Sequence, residues 1–177
     1  MRLPPTLLLL AALLGLSQCK HNDPDPVDQL PPATQTGQRA FGCLLNGQAW
    51  TPLGFDGTQN YSIDYDPTYA QGSLSIAAYR YTSSNSSSNQ TIGIFSDSLK
   101  SVGRYKLRAL GHHGAVVDIN SGCQYYSNRP PTYCVGTLVI TRLDVQTGII
   151  SGTFDFKLAK PGCDTVKVTD GRFDYKF

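Results

Sequence analysis

The chain has 177 residues, 16% of them charged, and a formal net charge of +2 at pH 7. That length fits one domain with appendages, and the charge content is below the roughly 25% usual in soluble domains. Lys and Arg are scattered along the sequence rather than striped, which argues against a nucleic-acid partner. The abundance of Ser, Thr, Asn, Gly and Tyr suits short strands with polar faces and many turns.

Residues 1–19 read as a targeting segment. Arg2 gives a positive start, and residues 7–14 form an apolar run. This is too short to span a bilayer, which takes about 20 residues, but it suits a signal-peptide core. The run ends in Leu16-Ser17-Gln18-Cys19, which resembles the lipobox of bacterial lipoproteins, with Gln18 standing where Gly, Ala or Ser is usual. Cys19 is therefore the expected lipidation site and the membrane a partner through that anchor. Residues 20–38 carry four prolines, several acids and few apolar side chains, and they predict a disordered tether. Lys20 rather than Asp follows Cys19, so the inner-membrane retention signal is missing. The expected address is the outer membrane, with its periplasmic and cell-surface faces both open.

Residues 39–177 predict a single β domain. Residues 39–51 are two apolar runs around Asn46-Gly47, a strong hairpin signal, with Phe41 and Trp50 expected to anchor one end of the core. Residues 61–65 form a short aromatic strand. In residues 72–82, Leu74, Ile76 and Ala78 alternate with Ser73, Ser75 and Tyr79. The polar run 83–89 reads as a hairpin tip, with the returning strand at 91–95. One helical turn is expected within 96–101, then strands at 103–107 and 115–119 around a turn at Gly111-His112-His113-Gly114. Residues 122–134 read as a proline-containing loop closed by cysteines.

Residues 136–177 alternate in three runs and predict an antiparallel meander. Leu138 and Ile140 face inward, as do Ile150, Phe154, Phe156, Leu158, Val166 and Val168, all at even positions. Phe173, Tyr175 and Phe177 fall at odd positions, so the register must slip by one residue. A bulge at Thr169-Asp170-Gly171, with Gly171 taking the unusual backbone angles, supplies the slip. With about 8–10 short strands and no long helix, the fold class is all-β, an antiparallel barrel or sandwich.

Beyond Cys19 there are four cysteines, an even number that in an exported chain implies disulfides. Cys123 and Cys134 flank a turn-rich loop and can close it, leaving Cys43 to pair with Cys163. A zinc site is the competing reading, but no C-x-x-C spacing supports it. No metal or other cofactor is expected.

Candidate chemistry is sparse. His112 and His113 are adjacent, so on a strand they point to opposite faces and are poorly placed to share a metal. Asp64 and Asp66 share a face and form the one carboxylate pair open to a hydrolase reading. No nucleophile elbow, zincin motif, P-loop or dinucleotide fingerprint is present. Tyrosines are many. Tyr79, Tyr81, Tyr125 and Tyr126 are the candidate contacts for a glycan, small-molecule or protein ligand, against the alternative that tyrosine suits a half-buried sheet.

The opening Phe41-Gly42-Cys43, Asn46-Gly47 and Trp50, the string from Ile150 to Phe156 (ISGTFDF) and the string from Val168 to Asp174 (VTDGRFD) resemble a family of uncharacterised bacterial lipoproteins that share a domain of unknown function. The resemblance implies a compact β domain on a lipid anchor and no activity. The resulting expectation is a lipid-anchored, non-enzymatic binding or structural domain. A small transmembrane β-barrel is the alternative, since Phe173, Tyr175 and Phe177 alternate at the end as in outer-membrane barrels. A hydrolase using Asp64 and Asp66 is a third reading.

Overall fold

The computed structural model describes residues 24–55, 57–81, 89–119 and 122–177. Cys19 and residues 83–88 of the hairpin tip predicted at 83–89 lie outside them. Eleven strands follow in chain order: β1 (Ala40–Leu45), β2 (Gln48–Trp50), β3 (Tyr61–Asp66), β4 (Ser73–Arg80), β5 (Gln90–Asp97), β6 (Gly103–Arg108), β7 (His113–Asp118), β8 (Gln124–Tyr126), β9 (Tyr133–Asp144), β10 (Ile149–Ala159) and β11 (Val166–Lys176). They form two antiparallel sheets, A in the order β2-β1-β11-β10-β9-β6 and B in the order β3-β4-β5-β7-β8. Neither sheet closes on itself, so of the two predicted architectures the molecule is the sandwich. A transmembrane barrel needs a closed sheet, and the described strands do not provide one.

The core lies between the sheets and is built by alternation. On β4 Leu74, Ile76 and Ala78 are buried; on β10 Ile150, Phe154, Phe156 and Leu158 are. Phe41 sits at the aromatic end, 5.3 Å from both Tyr61 and Phe154 and 6.0 Å from Trp50. The β1–β2 turn has Asn46 and Gly47 at φ 50° and 82°, as the hairpin signal requires. The Asn46 side chain also accepts from Lys167 N at 2.8 Å, fastening the hairpin to β11.

The predicted slip in β11 is present: Phe156 pairs with Val168, Phe154 with Gly171, and the register shifts between them. The left-handed residue there is Asp170, at φ 54°, not Gly171. Gly171 serves a different purpose. A Cβ at that position would stand 2.4 Å from the Phe154 ring, so the missing side chain makes room for the core aromatic.

Four further expectations are corrected. The cysteines pair as Cys123–Cys163, not as Cys123–Cys134 and Cys43–Cys163. The reason is β8: residues 124–126 do not form a loop but pair with β7, which carries Cys123 to the β10–β11 turn. Cys43 and Cys134 remain free thiols inside the core. Burial pushes the Cys43 thiol up to about 12 and the Cys134 thiol to about 11, so neither has thiolate character. Residues 96–101 contain no helical turn. Leu99 is buried there, and its carbonyl accepts from the Tyr65 hydroxyl at 2.8 Å. Finally, the segment read as a disordered tether lies against the domain from Pro24 onward. After a short 3-10 turn at Pro26–Gln29 it crosses the outer face of sheet A as a strap. Pro31 covers Gly42, where a Cβ would meet the proline Cδ at 2.7 Å.

Candidate functional site

One carboxylate fixes the strap, and the strap in turn makes one wall of a groove. Asp174 lies on β11 with its side chain on the outer face of sheet A, yet it is only 1% exposed. Its Oδ2 accepts from Thr34 Oγ1 (2.6 Å), Thr36 N (3.0 Å) and Gln38 N (3.1 Å). Its Oδ1 accepts from Gly37 N (2.8 Å) and Ser151 Oγ (2.7 Å). Gly37 has φ 78°, which turns successive N–H groups inward to make an anion-binding nest. Burial raises the Asp174 pKa, but the hydrogen bonds from Thr34, Ser151, Gln38 and Gly37 outweigh it and hold the carboxyl well below its usual range. Arg142 adds a bond from Nη1 to the Gln35 carbonyl at 2.6 Å.

With the strap in place, a groove of about 610 Å³ opens between Leu30 and Pro31 of the strap, Arg39 and Phe41 at the start of β1, and Asn60 and Tyr61 at the start of β3. That volume is in the range of small-molecule sites. Phe41 and Tyr61 are 3% and 2% exposed, so their ring faces are committed to the core and recognition falls to polar groups. Arg39 is exposed. Its Nη2 donates to Gln59 Oε1 at 2.7 Å and to the Tyr61 carbonyl at 3.0 Å, which aims the guanidinium across the mouth. The Tyr61 hydroxyl is buried without a hydrogen-bond partner among the described residues, a cost of about 1–3 kcal/mol. Burial first, then the neighbouring Tyr175 and Asp174, push its pKa up, so it stays neutral.

The four candidate tyrosines do not form one site. Tyr79 and Tyr81 stack parallel at 6.0 Å, both half-buried. Tyr125 is 1% exposed, its hydroxyl donating to the Asp164 carbonyl, so it is a core residue and not a ligand contact. Tyr126 carries the Arg129 guanidinium 4.8 Å from its ring centroid. Tyr79 on β4 and Tyr126 on β8 stand three strands apart, about 14 Å at the usual strand spacing.

Asp64 and Asp66 do share the outer face of β3. Asp66 Oδ1, however, accepts from Thr68 N and Oγ1, both at 2.7 Å, and from Tyr69 N at 3.2 Å, bonds that lower its pKa and spend it on a turn. His113 opens β7, with Nδ1 2.7 Å from Ser96 Oγ and its ring against Tyr105, while His112 stays in the turn. Among the described residues no three His, Cys, Asp or Glu side chains come together to hold a metal.

Sequence reasoning missed Arg39, Asn60, Asp174 and the strap. The usable signal was Thr34-Gln35-Thr36-Gly37, a hydroxyl and glycine pattern suited to an anion nest, together with Asp174 between the aromatic residues Phe173 and Tyr175 of β11. Comparison with protein-family models, with curated proteins and with solved structures finds no match for this chain.

Proposed function

We propose that this protein is an exported lipoprotein, acylated at Cys19 and held at the outer membrane, whose sandwich is a non-enzymatic binding domain. The leader at residues 7–14 and the Leu16-Ser17-Gln18-Cys19 string support the anchor, as does the resemblance to uncharacterised lipoproteins. The Cys123–Cys163 disulfide supports export, since such bonds persist in oxidising compartments. Intact-mass measurement of the membrane-extracted protein tests the anchor: a mature chain beginning at a diacylated Cys19 supports it, and an unmodified Cys19 overturns it.

The observation that carries the binding role is the groove at Arg39. A guanidinium over an opening flanked by the Gln29, Thr51 and Asn60 side chains suits a small organic acid, with the amides and hydroxyl completing its polar contacts. Thermal unfolding of residues 24–177 with a panel of uronic acids and dicarboxylates, and neutral sugars as controls, tests this. An acid present at 100 times its Kd stabilises the fold by about 2.7 kcal/mol, and Arg39→Gln removes that shift. No stabilisation by any acid, or a shift that survives Arg39→Gln, overturns the reading.

A further inference from the structure

The cations that are scattered in sequence become a patch once the strands stack. On the outer face of sheet A, Arg108 of β6 pairs with Val135 of β9, Val135 with Lys157 of β10, and Lys157 with Lys167 of β11, giving one row across four strands. The next rows add Lys106, beside Thr137 and Asp155, and Arg104, beside Val139 and Thr153. All five cations are exposed, against two acids, Asp155 and, in the β11 bulge opposite it, Asp170. A trough of about 300 Å³ runs between Val135, Lys157 and Lys167. Tyr133 and Val135, 57% and 48% exposed, project from the same face. The outer face of sheet B is the opposite. Its strands present Asp64, Asp66, Asp97 and Asp118 and no Lys or Arg at the outward positions, with Arg129, from the loop after β8, packed on the outward Tyr126. The sandwich is therefore electrically two-sided.

We infer that the outer face of sheet A docks on an anionic lipid surface, with the phosphates of acidic lipids over the Arg108–Lys157–Lys167 row and Tyr133 at headgroup level. Charge complementarity supplies the attraction, and an amphipathic aromatic ring suits the interface. The strap supplies the orientation: Pro31 over Gly42 and residues 34–38 around Asp174 lie on this same face, so an anchor joined to the strap would present this face to the bilayer. This orientation rests on the anchor proposed at Cys19. Four residues lie between Cys19 and Pro24, five Cα steps with a reach of at most about 18 Å, so an acylated chain would hold the domain near the bilayer. A second copy presenting its acidic sheet B face is the competing occupant.

The test is co-sedimentation of residues 24–177, which contain the whole core, strap and disulfide but not Cys19, with phosphatidylcholine vesicles with and without phosphatidylglycerol. Binding is expected only with phosphatidylglycerol and is expected to fall as salt rises. Lys157→Gln with Lys167→Gln weakens it on the order of thirtyfold. Lys100→Gln with Arg129→Gln, an equal loss of charge elsewhere, leaves it within about twofold. All four side chains are exposed, and matching circular dichroism confirms that both variants fold. Equal binding to the two vesicle types, no binding, or equal effects of the two double variants overturns the proposal. So does salt-sensitive self-association without vesicles that the first double variant abolishes, because it assigns the face to a second copy. Because Cys19 is absent from the assayed chain, these outcomes do not depend on whether the anchor reading stands.

Discussion

The two sheets secure their outermost pieces by different means. Sheet A rests on three long strands, β9, β10 and β11, of 12, 11 and 11 residues. It keeps the strap without a disulfide, chiefly through one buried carboxylate, with Arg142 and Arg172 adding bonds to the Gln35 and Pro31 carbonyls. Sheet B is made of strands of six to eight residues and ends in β8, which has only three. So short an edge strand has little ladder of its own, and unlike the equally short β2 it is not tied to its neighbour by a tight hairpin turn. It is kept by the Cys123–Cys163 bond, by the Tyr125 hydroxyl on the Asp164 carbonyl and by Lys160 Nζ on the Gln124 carbonyl at 3.2 Å. Long ladders leave room for a noncovalent latch, whereas short ones call for a staple, and local opening should start wherever that fastening is removed.

Asp174→Ala should break the comparison most severely. It strands three backbone donors and two hydroxyls, and we expect a loss of about 3–5 kcal/mol in urea unfolding, with faster amide exchange at residues 36–38. The same carboxylate sets an acid limit. Its folded pKa is depressed, so its contribution is complete above the unfolded value of about 3.9 and is lost as pH falls from there through the folded value. Asp174→Asn should flatten that acid limb in a pH series of unfolding midpoints.

Removing the staple comes next. Cys123→Ser with Cys163→Ser should cost about 2–4 kcal/mol, with exchange accelerating at β8 and the β10–β11 turn before it does in β10. Uniform acceleration would mean that the bond stabilises the whole fold and not β8 in particular. In the native protein Cys43 and Cys134 should resist maleimide until denaturant is added, because both are buried with raised pKa values. The smallest effect is at the bulge. Gly171→Ala forces a Cβ onto Phe154 and should cost about 1–3 kcal/mol in thermal unfolding, while Asp170→Gly, which relieves a positive φ, should cost nothing.

The antiparallel all-β class was readable from alternation, because strands such as β4 and β10 bury one face and leave a period of two; whether the sheets close into a barrel or stack as a sandwich was not, because alternation is the same in both. The hairpin at Asn46-Gly47 and the position of the β11 slip were readable for local reasons: turn chemistry in one case, a parity change in the other. The strap was not. It is held by backbone N–H groups of Thr36, Gly37 and Gln38, and composition reports only side chains, so a polar, proline-rich stretch looked unable to pay for order. The disulfide was misread because its partners are set by where β8 pairs, not by spacing along the chain. Arg39 and the basic face were hidden for a related reason. Cations on β6, β10 and β11 are separated by dozens of residues and become neighbours only when the strands are laid side by side.

The position of β11 has a further consequence. It is the last strand in sequence, yet it sits inside sheet A, paired with β1 on one side and β10 on the other, and it carries Asp174. A chain delivered N-terminus first, whether from a ribosome or through a translocation channel, must therefore keep β1, β2 and the strap waiting until β11 arrives. Closing that loop is slow and leaves apolar edges open in the interval. The order of synthesis makes the earliest residues of the domain the last to find their place.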